Sequence, residues 1–135
     1  MNSDFFKDDG MELLVDLDVT HIVVTEKQCI FRRLAEDKLW NRFPCIIVTG
    51  MGQPDYATRW FLSKLSAHTN AKIVGLFDWN PCGFLIFRTY RIGSSEMGCD
   101  NANLVANVKW LGLRFEHVKK YVVTFIFCIY TYIVP

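Results

Sequence analysis

Several residue patterns that mark common protein classes are missing from this sequence. Its five cysteines form no C-x-x-C pair, so neither a zinc site nor a disulfide framework is indicated, and reduced thiols in an intracellular protein are expected. No stretch of about 20 apolar residues occurs, which argues against a membrane-spanning helix. The N-terminal end is acidic and lacks the basic-then-apolar layout of a signal peptide.

Motifs for nucleotide binding and for nucleophilic catalysis are missing too. Gly50-Met51-Gly52 suggests a glycine-rich phosphate cradle, but the Walker Gly-Lys-Ser/Thr and the Rossmann G-x-G-x-x-G are absent, so nucleotide binding is weakly supported. The three histidines lie far apart and lack helical metal-ligand spacing. No Ser-His-Asp or Cys-His grouping is visible, and a triad formed only in three dimensions stays open.

Size and composition fit one globular domain with a substantial core. The chain has 135 residues, of which 51% are hydrophobic, including eleven Phe and four Trp. Its net charge of +1 is unevenly spread, because residues 1–20 hold six acids and one lysine. Residues 21–135 are therefore modestly basic, which fits either a partner that carries phosphate or simply a solvated surface.

Apolar runs alternate with helix-like segments, as in a parallel α/β sheet. We predict four strands, with a helix after each of the first three. The strands are expected at about His21–Thr25, Cys45–Thr49, Lys72–Phe77 and Val108–Leu113, and the helices at about Lys27–Trp40, Asp55–His68 and from Pro81 to about Tyr90. On the middle helix, Ala57, Trp60, Phe61 and Leu65 are expected to be buried.

Two acidic residues, each at the end of an apolar run, are the most informative feature. Glu26 follows His21–Thr25, and Asp78 follows Ile73–Phe77. If the two runs are neighbouring parallel strands, both carboxylates lie at the carboxyl edge of one sheet, where α/β ligand sites form. Two close carboxylates need a shared proton or a hard cation, and Mg²⁺ is the natural choice. The alternative is that each acid only caps or flanks a helix start.

Two further polar residues are candidates for the same site. In Asp78-Trp79-Asn80, the first and third side chains can converge on one ion, with Asn80 offering a neutral oxygen; the alternative is an ordinary turn residue. Arg59 lies one turn into the second predicted helix. It could meet a DNA phosphate or could be solvated.

Taken together, these segments resemble the Toprim domain of the topoisomerase VI A subunit family, which includes the eukaryotic meiotic double-strand-break protein. The matching stretches lie in order over about residues 21–120. They are Val23–Lys27 with Ile30–Leu34, Ile47–Asp55 with Ala57–Leu62, Asp78–Gly83, and Asn107–Arg114.

The resemblance implies an α/β Toprim-like parallel sheet, a Mg²⁺ site at Glu26 and Asp78, and Asn80 at the family's usual second Asp. It also implies DNA contacts at Lys27, Gln53 and Arg59. In this family a tyrosine attacks a backbone phosphate while the metal helps to hold DNA, and a dimer makes a staggered double-strand break. The resemblance to a type IIB-like topoisomerase also implies a B-type ATPase subunit as a partner. It implies no membrane association, and it implies the nucleus as the location.

The sequence departs from the family pattern in ways that limit the expected activity. Asn80 replaces a carboxylate, and Met51 stands where the family usually has Lys or Arg. The attacking tyrosine belongs to a domain N-terminal to the Toprim part, and none of the tyrosines here maps to it. We therefore expect that this chain alone does not cleave DNA.

Three segments are expected along the chain: an acidic segment over 1–20, an incomplete Toprim-like domain over 21–120, and an apolar tail over 121–135. The tail is interpreted as a foreign ending. Alternative functions are a non-catalytic module that pairs with a full-length relative and a non-functional gene fragment. A phosphoryl-transfer enzyme with Asp78 as nucleophile is less favoured.

Overall fold

The structure is a computed structural model, and it describes residues 3–8, 11–16, 18–93, 104 and 106–120. The elements in chain order are β1 (Ser3–Asp8), β2 (Met11–Asp16), β3 (His21–Thr25), α1 (Gln28–Glu36), a 3₁₀ turn (Leu39–Asn41), β4 (Cys45–Thr49), α2 (Tyr56–His68), β5 (Lys72–Leu76), α3 (Pro81–Ile92) and β6 (Lys109–Gly112). Residues 115–120 are also helical. The predicted apolar tail over 121–135 lies outside the described residues.

The main sheet contains four parallel strands in the order β4-β3-β5-β6. The prediction of a four-stranded parallel sheet flanked by helices is thus confirmed. Thr25, the last residue of β3, pairs with Thr49 of β4 and with Leu76 of β5. Because the three strands end at the same level, the residues that follow them meet at one edge of the sheet.

The acidic N-terminal segment forms a two-stranded antiparallel sheet, in which β1 pairs with β2 from Ser3↔Asp16 to Asp8↔Met11. We did not predict these strands. A signal was present, because Asp9-Gly10 in the sequence is a dipeptide typical of hairpin connections and apolar residues flank it on both sides.

The core lies between the sheet and the helices α2 and α3. Ile22 and Val24 of β3 point into it, as the two-residue period of a strand requires. The other buried members include Val48, Leu62, Leu65, Ile73, Phe77, Ile86, Tyr90, Ala106 and Val108. This core fixes the central strand and, with it, the position of the residue that follows the strand.

The buried face of α2 differs from the prediction. Arg59, Leu62 and Leu65 are buried, whereas Ala57 is exposed and Trp60 and Phe61 are only half-buried. The prediction of a buried Ala57 is therefore wrong, and that of Leu65 is confirmed. The face is rotated because the side chains at intervals of three residues, and not the two adjacent aromatic residues, point at the sheet.

The first helix is shorter than predicted and no residue in it is fully buried. It ends at Glu36 instead of Trp40, since Lys38 adopts a left-handed conformation with φ of 47°. The helix lies against β4 and β3 and leaves Ile30 43% exposed.

Among the described residues, no helix has the length and apolar character needed to cross a bilayer.

Candidate cation and DNA site

The fold brings Glu26 and Asp78 together, although they lie 52 positions apart in the sequence. Glu26 follows β3 directly, and its backbone N–H donates to the carbonyl of Leu76 at the end of β5 over 3.0 Å. The backbone N–H of Asp78 donates to Glu26 Oε2 over 2.8 Å. The residue Glu26 is only 8% exposed. Both acids therefore belong to one cluster at the carboxyl edge of the sheet.

Lys27 is a direct partner of this acidic pair. Its Nζ lies 2.5 Å from Asp78 Oδ2. The hydrogen bond to Asp78, together with the negative charge of that carboxylate, raises the pKa of Lys27 above its usual value. The predicted contact of Lys27 with DNA stays a prediction, and in this structure its ammonium group pairs with Asp78.

Asn80 is the N-cap of α3. Its Oδ1 accepts a hydrogen bond from the backbone N–H of Gly83 over 2.8 Å, and Pro81 begins the helix. A turn also precedes the helix, because the N–H of Asn80 donates to the carbonyl of Asp78. Asn80 therefore fills the helix-capping role that the sequence offered as an alternative for this part of the chain. A metal-binding role for Asn80 stays a prediction.

The glycine loop after β4 is hydrogen-bonded to the backbone of Glu26. The N–H of Gly52 donates to the carbonyl of Glu26 over 2.9 Å, and the N–H of Met51 donates to Thr49 Oγ1 over 3.1 Å. Met51 and Gly52 both have positive φ, at 53° and 114°. Since two of its N–H groups bond within the protein, this loop positions Glu26 and offers fewer donors to a phosphate than the sequence suggested.

The other two predicted DNA-contacting residues lie in different environments. Gln53 is exposed at the end of the glycine loop. Arg59 is 1% exposed, and burial lowers its pKa from the usual value. The alternative of a solvated Arg59 is therefore wrong. Contact of either residue with DNA stays a prediction, and for Arg59 it requires a conformation other than this one.

A pocket of about 200 Å³ opens beside the acidic pair. Its walls are mainly apolar, and the charged side chains form one side. The lining residues are Glu26, Lys27, Ile30, Leu76, Phe77, Asp78 and Leu113. An apolar wall lowers the local dielectric constant, so charge interactions at this side of the pocket are stronger than in open water.

An aromatic cluster next to Asp78 was missed by the sequence reasoning. Phe84 and Trp110 stack with centroids 4.7 Å apart, and Trp79 meets them edge-on at 5.1 and 5.9 Å. Trp79 is 41% exposed and Phe84 is 44% exposed. The tryptophan inside Asp78-Trp79-Asn80 was the available signal. The cluster holds the turn after β5 against β6 and thereby fixes the backbone at Asp78.

The donor set can be tested against a divalent cation. The Glu26 carboxylate accepts a hydrogen bond from the backbone of Asp78, so both acidic residues lie at one edge, and one or two carboxylates completed by water are typical protein ligands of Mg²⁺. Within the part of the chain that the structure describes, no group of three or more His, Cys, Asp or Glu side chains could hold a metal ion. The described residues therefore fit a hydrated hard cation, for which Glu26 and Asp78 would be the protein ligands.

Comparisons with known proteins identify the family of this chain. Residues 21–126 match the family model of the Toprim domain shared by Spo11 and the topoisomerase 6 A subunit. The chain is 47% identical over 109 residues to "Meiotic recombination protein SPO11-2" of Oryza sativa subsp. indica, which covers 80% of this chain and 28% of that protein. It is 46% identical over 105 residues to the DNA topoisomerase 6 A subunit of Arabidopsis thaliana, covering 77% of this chain and 25% of that protein.

The Arabidopsis thaliana "Meiotic recombination protein SPO11-2" is 44% identical over 103 residues, which cover 76% of this chain and 27% of that protein. The chain thus spans about a quarter of the length of the curated relatives that it matches. The matched stretch includes all four strands of the parallel sheet and both acids at its edge. The chain therefore belongs to the Spo11/topoisomerase 6 A-subunit family and carries its Toprim domain.

Proposed function

We propose that this chain supplies the part of a DNA-break-forming protein that binds a divalent cation and DNA, with Glu26 and Asp78 holding Mg²⁺. The observation that carries the proposal is the hydrogen bond from the Asp78 backbone to the Glu26 carboxylate, which keeps two acids side by side at the edge of the sheet. Toprim domains generally bind a divalent metal ion, which supports the same assignment. Asn80 is a weaker candidate because Oδ1 already caps α3.

A bound cation would offset the negative charge of a DNA phosphate. The contribution of the chain is to hold the backbones of the two acidic residues in fixed positions. Glu26 is fixed by backbone hydrogen bonds to β5 and to the glycine loop, and Asp78 is fixed by Glu26 and by the turn into α3. Such preorganisation reduces the free energy needed to order the ligands when a cation or phosphate arrives.

DNA is the proposed partner of the same edge, with Lys27 and Gln53 as the accessible contacts and Arg59 as a contact that needs a change of conformation. When a positively charged side chain contacts a phosphate, the affinity for DNA depends on salt concentration. Each neutralised phosphate adds about −0.9 to the slope of log K for DNA binding against log [salt] for duplex DNA. Lys27→Gln should make this slope less negative by about 0.9, measured by fluorescence anisotropy with a labelled duplex in Mg²⁺. An unchanged slope would remove Lys27 from the interface.

The matched stretch covers only 28% and 25% of two curated relatives, so we propose that the activity of the whole protein also depends on parts of the relatives outside this stretch. We propose that the 135-residue polypeptide does not cleave DNA alone, since no tyrosine here maps to the family's nucleophile. Its proposed partners are a second A-type subunit (in a homodimer or heterodimer) and a B-type ATPase subunit. Its proposed location is the nucleus. The boundary near residue 120 and the foreign origin of the tail stay predictions.

Thermal unfolding with and without Mg²⁺ tests the cation site. A ligand that binds only the native state stabilises it by RT ln(1 + [L]/Kd), about 1.4 kcal/mol at ten times Kd. We expect Mg²⁺ to raise the midpoint of the unmodified chain but not that of Glu26→Gln or Asp78→Asn. Both substitutions keep the side-chain size, and the amide oxygen of the introduced glutamine can still accept the Asp78 N–H.

Two controls make this result specific. Glu36→Gln removes one exposed acid from α1, away from the sheet edge, and should retain the full response to Mg²⁺. NaCl at matched ionic strength separates specific binding from screening of surface charge. An equal response to Mg²⁺ in all four proteins would place the cation elsewhere and refute the assignment to Glu26 and Asp78.

A further inference from the structure

An ion pair occupies the carboxylate that the proposed cation would use. Lys27 Nζ lies 2.5 Å from Asp78 Oδ2, while the backbone N–H of Asp78 donates to Glu26 Oε2. Lys27 directly follows Glu26 along the chain, so one short segment supplies an acid and a base to the same cluster. The site therefore contains a positive charge of its own.

The ammonium group of Lys27 has no other structural role in the described contacts. Lys27 is the N-cap residue of α1, but its side chain makes no capping hydrogen bond. The Lys27 side chain is 52% exposed and that of Asp78 is 30% exposed. Exposed ion pairs have a small net free energy, because water screens them and two side chains lose freedom. Such a pair is easily exchanged for another.

We propose that Lys27 is a built-in competitor of the divalent cation: it neutralises Asp78 in the cation-free protein and is displaced when the cation binds. This inference rests on the proposed function, since it takes Glu26 and Asp78 as the cation ligands. An ammonium group on Asp78 Oδ2 blocks that oxygen and repels a second positive charge. After displacement, the ammonium group can approach an anion such as a DNA phosphate, which couples cation binding to DNA binding.

Mn²⁺ binding measured by electron paramagnetic resonance of the free ion tests the competition directly. Removal of an exposed pair should tighten the Kd for Mn²⁺ by about two- to fivefold in Lys27→Met. The matched control is Lys72→Met, which removes the same charge at the opposite end of β5. Its Kd for Mn²⁺ should stay within about 1.5-fold of that of the unmodified chain, because in 0.15 M salt charges are screened beyond about 8 Å. Lys27→Gln is a second variant, and circular dichroism verifies that each protein is folded.

Displacement also has a spectroscopic signature. In protein labelled with ¹³C-lysine, the Lys27 Cε–Hε resonance, assigned by its loss in Lys27→Met, should shift with added diamagnetic Mg²⁺. The shift should saturate at the same concentration as the thermal stabilisation, while the Lys72 resonance stays in place. A structural role for Lys27 alone would not produce this shift.

The outcomes separate the inference from the proposed function. If Glu26→Gln weakens Mn²⁺ binding but Lys27→Met leaves the Kd unchanged, or if the Lys27 resonance does not move, the competition is refuted and the cation site stands. If Lys27→Met and Lys72→Met lower the Kd for Mn²⁺ equally, the effect comes from the net charge of the protein, and the competition is also refuted. If neither Glu26→Gln nor Asp78→Asn changes Mn²⁺ binding, the cation site and the competition both fail.

Discussion

Gly83→Ala is the substitution for which the structure and the local sequence make opposite predictions. Gly83 lies in the first turn of α3, where helix propensity alone favours Ala by up to about 1 kcal/mol. In the structure, however, a Cβ at this position would overlap the carbonyl oxygen of Asp78 and would lie 3.0 Å from its carbonyl carbon. The helix start and the turn at Asp78 cannot both keep their positions.

The obstacle is backbone and not the flexible end of a side chain, so relief requires a shift of the turn itself. Overpacking of this kind typically costs about 1–3 kcal/mol, and we expect the free energy of unfolding of Gly83→Ala to fall by that amount. Urea unfolding followed by circular dichroism measures it. The control is Cys82→Ala, an exposed neighbour in the same turn, which should change stability by less than about 0.5 kcal/mol.

A second consequence distinguishes this reasoning from simple destabilisation. The turn that has to move carries Asp78, so Gly83→Ala should also weaken the response of the unfolding midpoint to Mg²⁺. A Gly83→Ala protein that is as stable as the unmodified chain would refute the close packing of Gly83 on Asp78. If Gly83→Ala is destabilised but its response to Mg²⁺ is unchanged, the close packing of Gly83 is supported and its effect on the cation site is refuted.

Three further predictions concern single side chains. Asn80→Ala should cost about 1 kcal/mol in urea unfolding because α3 loses its cap, whereas Asn80→Asp keeps the cap and should tighten Mn²⁺ binding by adding a carboxylate. Asp55→Ala should cost about 0.5–2 kcal/mol at pH 7. Hydrogen bonds from Thr58 hold the pKa of Asp55 below its usual 3.8, so this contribution is present above pH 3.8 and is lost as the pH falls through the lower folded pKa. The difference in stability between the two proteins should therefore shrink as the pH falls below 3.8. Burial raises the pKa of Tyr90 to about 12, whereas the pKa in the unfolded chain is near 10. The stability that the neutral phenol contributes is therefore complete below pH 10 and is lost as the pH rises towards 12. In urea unfolding, Tyr90→Phe should not show this loss of stability.

The sequence predicted the parallel sheet because the order of apolar runs and helix signals leaves few topologies open. The pairing of Glu26 with Asp78 followed from the same pattern, since each acid ends a strand and parallel strands share a carboxyl edge. The hairpin at the N-terminus was missed, although Asp9-Gly10 between apolar runs is a hairpin signal.

Burial within helices was predicted less well. The sequence offers Trp60 and Phe61 as the large apolar residues of α2, yet Leu62 and Leu65 face the sheet and Arg59 is buried with them. Hydrophobicity gives the candidates for a buried face, but the rotation of the helix is set by how its backbone crosses the strands. An arginine can enter such a face because its long stem packs as an apolar chain.

The sequence by itself determined the fold class, the family resemblance and the two acids at the sheet edge, because these depend on short periodic patterns along the chain. Tertiary structure decided the partners of each polar group: Lys27 binds Asp78, Asn80 caps α3, and Gly52 bonds to Glu26. Strand register and the geometry of the turns select these partners among many groups of similar chemistry. A hydrogen bond or ion pair tolerates only a few tenths of an ångström, and a pattern of residue types does not carry that information.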